Sequence, residues 1–130
     1  MQRTRPRVLV IEDDGDILDV VTLFLEGEGY DVVRARHGLE ALERLRSRPP
    51  PPDVILLDLM MPVMDGWQFC HERRRDGRLA SIPVVLLTAN GEAEKMARKL
   101  GAEGALRKPL DLDALLGAVA RFAPPAPGNG

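Results

Sequence analysis

Four consecutive apolar residues, Val54-Ile55-Leu56-Leu57, run straight into a carboxylate, Asp58, and the turn-forming Pro62 and Gly66 follow. An unbroken apolar run of that length is what a strand covered on both faces needs, and two-sided cover is typical of parallel sheets flanked by helices. The pattern recurs at Val8-Leu9-Val10-Ile11 before Glu12-Asp13-Asp14, and at Ile82 to Leu87 before Thr88. A lone buried carboxylate is costly unless it is paired, metal-bound or at a solvent-open rim. Asp58 is therefore expected at the carboxyl edge of a sheet, where open parallel sheets bind their ligands.

Between these runs the spacing turns helical. Gly15-Asp16 opens a helix whose apolar stripe is read as Ile17, Val20, Val21, Phe24 and Leu25, and Gly27 and Gly29 close it. Asp14 and Asp16 are read as helix-start acids rather than ligands, because carboxylates stabilise a helix amino terminus. Asp31 to Arg34 is the second strand, His37-Gly38 a turn, and Leu39, Leu42 and Leu45 mark the second helix. Pro49 to Pro52 fits neither helix nor central strand and is read as a stiff connector. A third helix runs from Trp67 to about Arg75. A fourth, Glu92 to Leu100, is expected to bury little beyond Met96 and Leu100, to be loosely held, and to be capped by Gly101. Gly104-Ala105-Leu106-Arg107 is a short fifth strand ending at Lys108-Pro109. Asp111 then caps a last helix carrying Leu112, Leu115, Leu116, Val119 and Phe122.

Strand and helix thus alternate, with helix-length crossovers, which predicts an α/β fold. The expected architecture is a doubly wound five-stranded parallel sheet, flavodoxin-like, in strand order 2-1-3-4-5 with helices on both faces. The expected organisation is one domain over residues 1–122 and a disordered Pro/Gly-rich tail over 123–130, with no effector domain after Phe122. A net charge of -2 gives no electrostatic reason to expect nucleic acid or an anionic membrane as partner. The arginines at 44, 46, 48 and 73 to 75 are read as solvated helix faces, and His37 and His71 as surface residues. The single Cys70 excludes an internal disulfide and a cysteine metal cluster. No window approaches the ~20 apolar residues that span a bilayer, so membrane insertion is not expected and the cytoplasm is the expected location.

Under that strand order the polar residues at strand ends share one rim: Glu12 and Asp13, Asp58, Thr88 and Lys108. Three carboxylates in one crevice repel one another unless a cation sits among them or some are protonated. Oxygen ligands with room for water suit Mg²⁺. Lys108 and the Thr88 hydroxyl supply a point charge and a donor for a phosphoryl group. Asp58 is the candidate nucleophile.

The chain resembles the receiver domains of two-component response regulators over roughly residues 6–122. Val10-Ile11-Glu12-Asp13-Asp14 is similar to the acidic pocket, and Leu56 to Pro62 with Asp65-Gly66 to the phosphoacceptor loop. Leu87-Thr88-Ala89 and Arg107-Lys108-Pro109 are similar to the switch threonine and the lysine. The resemblance implies a single-domain signalling module rather than an enzyme. In it, Asp58 takes a phosphoryl group from a sensor histidine kinase or histidine phosphotransfer protein and then acts on a downstream protein. It further implies Mg²⁺ bound by Asp13, Asp58 and the backbone carbonyl of Met60, with Glu12 acting through water, and a cis Lys108-Pro109 peptide. Thr88 would move toward the phosphoryl oxygens and Lys108 would pair with them. One departure is Ala105, where the family usually carries a tyrosine or phenylalanine that relays phosphorylation to the surface. Two alternatives stand beside this reading. One is a receiver-like binding module that is not phosphorylated. The other is a Mg²⁺-dependent phosphatase working through an aspartyl-phosphate, a class that wants a carboxylate where this chain has Met60.

Overall fold

The computed structural model describes residues 5–47, 50–59, 65–89 and 91–124. Five strands alternate with five helices: β1 (Arg7–Ile11), α1 (Gly15–Gly27), β2 (Asp31–Ala35), α2 (Gly38–Ser47), β3 (Val54–Asp58), α3 (Gly66–Arg75), β4 (Val84–Thr88), α4 (Ala93–Leu100), β5 (Gly104–Arg107) and α5 (Leu112–Phe122). All strand pairs are parallel and the order is β2-β1-β3-β4-β5. Both the class and the order are those expected from the sequence.

The apolar runs divide by parity. Leu9, Ile11, Ile55, Leu57, Val84 and Leu86 face one way, onto Phe69 and Cys70 of α3, Ala41 of α2 and Ala97 of α4. Val8, Val10, Val54, Leu56, Val85 and Leu87 face the other, onto Leu18, Val21 and Leu25 of α1 and Leu115 and Val119 of α5. Alternate side chains of a strand point to opposite faces, so an uninterrupted apolar run is what a twice-covered sheet demands. Every residue of β3 and β4 is buried. Ile82 packs into the core ahead of β4, and Pro83 sits just outside the strand, where its carbonyl still accepts from the Ile55 amide at 2.9 Å.

The helix faces differ from expectation in three places. On α1 the buried stripe is Leu18, Val21, Thr22 and Leu25, while Val20 is 53% exposed. Asp14 caps the helix, its carboxylate accepting from the amides of Asp16 and Ile17. On α4 the contact is made mainly by Ala93, Ala97 and Leu100, with Met96 only partly buried. Alanines let this helix approach the sheet closely, so its seat rests on small residues that a pattern of large apolar side chains does not reveal. On α3, Arg73 is not on a solvated face but 2% exposed. Its guanidinium donates to the carbonyls of Ile82 and of Ala80 (3.1 Å), and stands 3.8 Å from Glu103.

Geometry requires glycine at positions 66 and 101. A Cβ at Gly66 would lie 2.8 Å from the Leu59 backbone, and the Gly66 amide donates to the Leu59 carbonyl at 2.9 Å, closing the loop between β3 and α3. Gly101 ends α4 with φ +72°, a left-handed conformation that glycine adopts without steric cost. Ordered structure continues into the expected tail: Ala123 is 2% exposed, and its carbonyl accepts the buried Tyr30 hydroxyl at 2.7 Å. Residues 125–130 lie outside the described residues, as do Arg48 and Pro49 of the connector. Among the described residues no helix is long and apolar enough to cross a membrane.

Candidate functional site

The carboxyl ends of four strands build the site. β1 ends one residue before Glu12, whose amide is tied to the Ala35 carbonyl of β2 at 3.0 Å. This backbone bond extends the ladder and carries Glu12 into the interior, where it is fully buried, while the next residue, Asp13, turns outward. Asp58 is the last residue of β3 and is 4% exposed, and Thr88, the last of β4, is equally buried. Glu12, Asp13 and Asp58 each bring a carboxylate oxygen within 4.8 Å of the others. Lys108, just past β5, places its Nζ 2.8 Å from Glu12 Oε1 and 3.4 Å from Asp58 Oδ1. Its backbone amide donates to the Thr88 carbonyl at 2.9 Å, and the Lys108-Pro109 peptide is cis.

The electrostatics follow from this crowding. Burial, hydrogen bonding to Glu12 and Asp13, and the charge of Glu12 push the Asp58 carboxyl up to about 8, against a smaller opposing pull from Lys108. Burial alone would lower the Lys108 ammonium. Hydrogen bonding to Glu12 and the charges of Asp58 and Glu12 outweigh it, and hold the group above its ordinary value. Among the described residues, three carboxylates and one ammonium leave the pocket with excess negative charge, which favours a proton on Asp58 or the entry of a further cation. All the ligand atoms are hard oxygens, the donor set that Mg²⁺ prefers, and one of the acids is open to solvent for retained waters.

Five of the six sequence-identified site residues, Glu12, Asp13, Asp58, Thr88 and Lys108, thus lie on one rim. The sixth, Met60, lies outside the described residues, as do Met61 and Asn90. Asp14 is a helix cap, as expected. His37 accepts the Glu40 amide on Nδ1 at 3.2 Å at the start of α2, and His71 is exposed on α3. The spacing of residues did not reveal Arg107, whose guanidinium donates to the Gly91 carbonyl at 2.6 Å in the loop after Thr88. That contact depends on strand register, which places Arg107 opposite Thr88.

Residues 8–120 match the family model described as the response regulator receiver domain. The chain belongs to that family. Over 116 residues it is 41% identical to the DNA-binding dual master transcriptional regulator RpaA of Synechocystis, an alignment that covers 88% of this chain and 47% of RpaA. The receiver domain described here therefore spans about half the length of the curated relatives it matches. Among solved structures, the chemotaxis response regulator CheY4 of Vibrio cholerae superposes with a TM-score of 0.83 at 33% identity, covering 92% of this chain and 99% of CheY4. The receiver domain of sensor histidine kinase PA1611 from Pseudomonas aeruginosa is 26% identical with a TM-score of 0.81, covering 90% of this receiver and 96% of that chain. That structure has a magnesium ion coordinated in its active site cleft.

Proposed function

We propose that this receiver domain is a phosphorylation-dependent signalling module in which Asp58 accepts a phosphoryl group from a phosphohistidine. The donor would be a sensor histidine kinase or a histidine phosphotransfer protein in the cytoplasm. The observation that carries this is the placement of the Lys108 ammonium, 2.8 Å from Glu12 and 3.4 Å from Asp58, against a cluster of three carboxylates. A carboxylate oxygen of Asp58 attacks phosphorus, the new O–P bond forms as the P–N bond breaks, and the imidazole leaves and takes up a proton. Asp58 must be ionised to attack, and its raised pKa means that Lys108 alone does not keep it so at neutral pH. Asp13, Asp58 and the backbone carbonyl of Met60 would hold Mg²⁺, with Glu12 acting through water, and the ion would supply positive charge beside Asp58 and the phosphoryl oxygens. Lys108 offsets charge on the transferring oxygens, and the Thr88 hydroxyl donates to one of them.

The module acts by protein contact with a downstream partner, without direct nucleic-acid binding and without turning over a substrate of its own. Position 60, two residues after Asp58, is methionine and so offers no acid or base for a phosphatase cycle. The test is incubation with acetyl phosphate and Mg²⁺ followed by intact mass measurement. One phosphate is expected on the wild type, none on Asp58→Asn and none with a chelator present. Label that survives Asp58→Asn would place the acceptor elsewhere.

A further inference from the structure

The strand that delivers Lys108 also grips the loop that leaves Thr88. β5 lies beside β4 with Arg107 opposite Thr88. At the start of the loop the Lys108 amide donates to the Thr88 carbonyl at 2.9 Å, and at its end the Arg107 guanidinium donates to the Gly91 carbonyl at 2.6 Å. Arg107, the last residue of β5, and Lys108, just past it, therefore bond Gly91 and Thr88 in turn. Ala105 lies two residues back on the same face of β5, its methyl packed at the edge of the core. Beside it lies a cleft of about 410 Å³ between β5 and α4, lined by Gly91, Ala93, Arg98, Ala105 and Arg107 among others. Arg107 and Gly91, which bond to each other, both line this cleft.

We propose that Arg107 is a positioning residue of the phosphoryl site, clasping the loop after Thr88 so that the threonine hydroxyl meets the transferred group. The proposal rests on the reading of Asp58 as phosphoacceptor. A hydroxyl contributes to a transfer only when it is held close to its productive position, and a loop tied at both ends samples fewer positions than one tied at its start. The planar guanidinium can donate to a carbonyl while its stem lies along the strand, and a lysine in its place keeps the charge but offers only a mobile point donor.

The test uses the full chain, with acetyl phosphate and Mg²⁺ as the probe, and follows phosphoryl gain by intact mass for Arg107→Met, Arg107→Lys, Thr88→Ala and the double variant Thr88→Ala/Arg107→Met. Arg107→Met is expected to slow the gain about three- to tenfold, and Arg107→Lys to fall between it and wild type. In the Thr88→Ala background the Arg107→Met change should add nothing, because the clasp acts through the threonine. A second readout needs neither donor nor metal. Amide hydrogen exchange over residues 91–97 should be several-fold faster in Arg107→Met, and restored in part by Arg107→Lys. An effect that multiplies with Thr88→Ala, or unchanged gain despite faster exchange, would reduce the clasp to a surface contact and overturn the proposal. If the wild type takes no phosphoryl group, the reading of Asp58 fails, and unchanged exchange in Arg107→Met then rejects the clasp independently.

Discussion

The receiver domain buries charge at both ends of its sheet, and the two burials are of opposite kinds. At the amino edge, Arg73 is 2% exposed but fully engaged, with carbonyls of Ile82 and Ala80 as acceptors and Glu103 beside it. Glu103 is itself occupied, accepting the Val84 amide at 2.7 Å. At the carboxyl edge, buried Glu12 and Asp58 both pair with Lys108, exposed Asp13 crowds the same rim, and Asp58 is driven up to about 8. A buried charge whose partners are matched ties elements together. Like charges gathered with too few partners store unfavourable energy that a cation or a phosphoryl group can relieve. The first arrangement is structural and the second is poised for chemistry.

If that contrast is sound, removing charge at the two ends changes stability in opposite directions. The largest effect is expected from Arg73→Met, which strands two carbonyls and Glu103 and should cost about 3 kcal/mol in urea denaturation. A loss below about 1 kcal/mol would show that the guanidinium network contributes little. Asp58→Asn, by contrast, should stabilise the metal-free protein by about 2 kcal/mol at pH 8, because it removes a carboxylate that the fold resists ionising. A destabilised Asp58→Asn protein would contradict the crowding described for the rim.

The pH dependence sharpens the same contrast. The folded-state pKa of Asp58 lies above its unfolded value of 3.8, at about 8. Its contribution is therefore most favourable below the unfolded pKa and is lost progressively as pH rises through 8. The stability difference between wild type and Asp58→Asn, without metal, should widen between about pH 5 and pH 8.5, and added Mg²⁺ should narrow it by holding Asp58 ionised. A difference that stays flat across that range would mean Asp58 is already ionised in the folded protein. The smallest effect is expected from Arg75→Ala, within about 0.5 kcal/mol, since its 3.7 Å pair with Glu72 is exposed. Arg73 and Arg75, two members of one arginine run, would then differ severalfold, according to which side of α3 they face.

Much of the fold was legible in the chain before any coordinates. Apolar runs such as Val54 to Leu57, the Asp111 and Gly101 caps, and helix-length crossovers are local signals, and each returned the element expected. The rim was legible for a related reason: Glu12, Asp13, Asp58, Thr88 and Lys108 all stand at the ends of apolar runs, so parallel order alone brings them to one edge. The helix faces were less so. Val20 looked like core and lies outward, while Ala93 and Ala97 carried no signal and form the seat of α4. Arginine at position 73 reads as solvent-exposed because acceptors for it appear only once the turn before β4 folds back under α3.

Sequence by itself thus determined the class of fold, the strand order and which side chains meet at the rim, because these depend on short-range periodicity and on where each apolar run stops. Only the tertiary structure decided how Lys108 divides itself between Glu12 and Asp58, that Arg73 is buried and satisfied, and that Arg107 reaches Gly91. Each of those is a contact across strands or loops distant in the chain. Its energy depends on distances of a few ångströms and on the loss of water, and neither quantity is written in the order of residues.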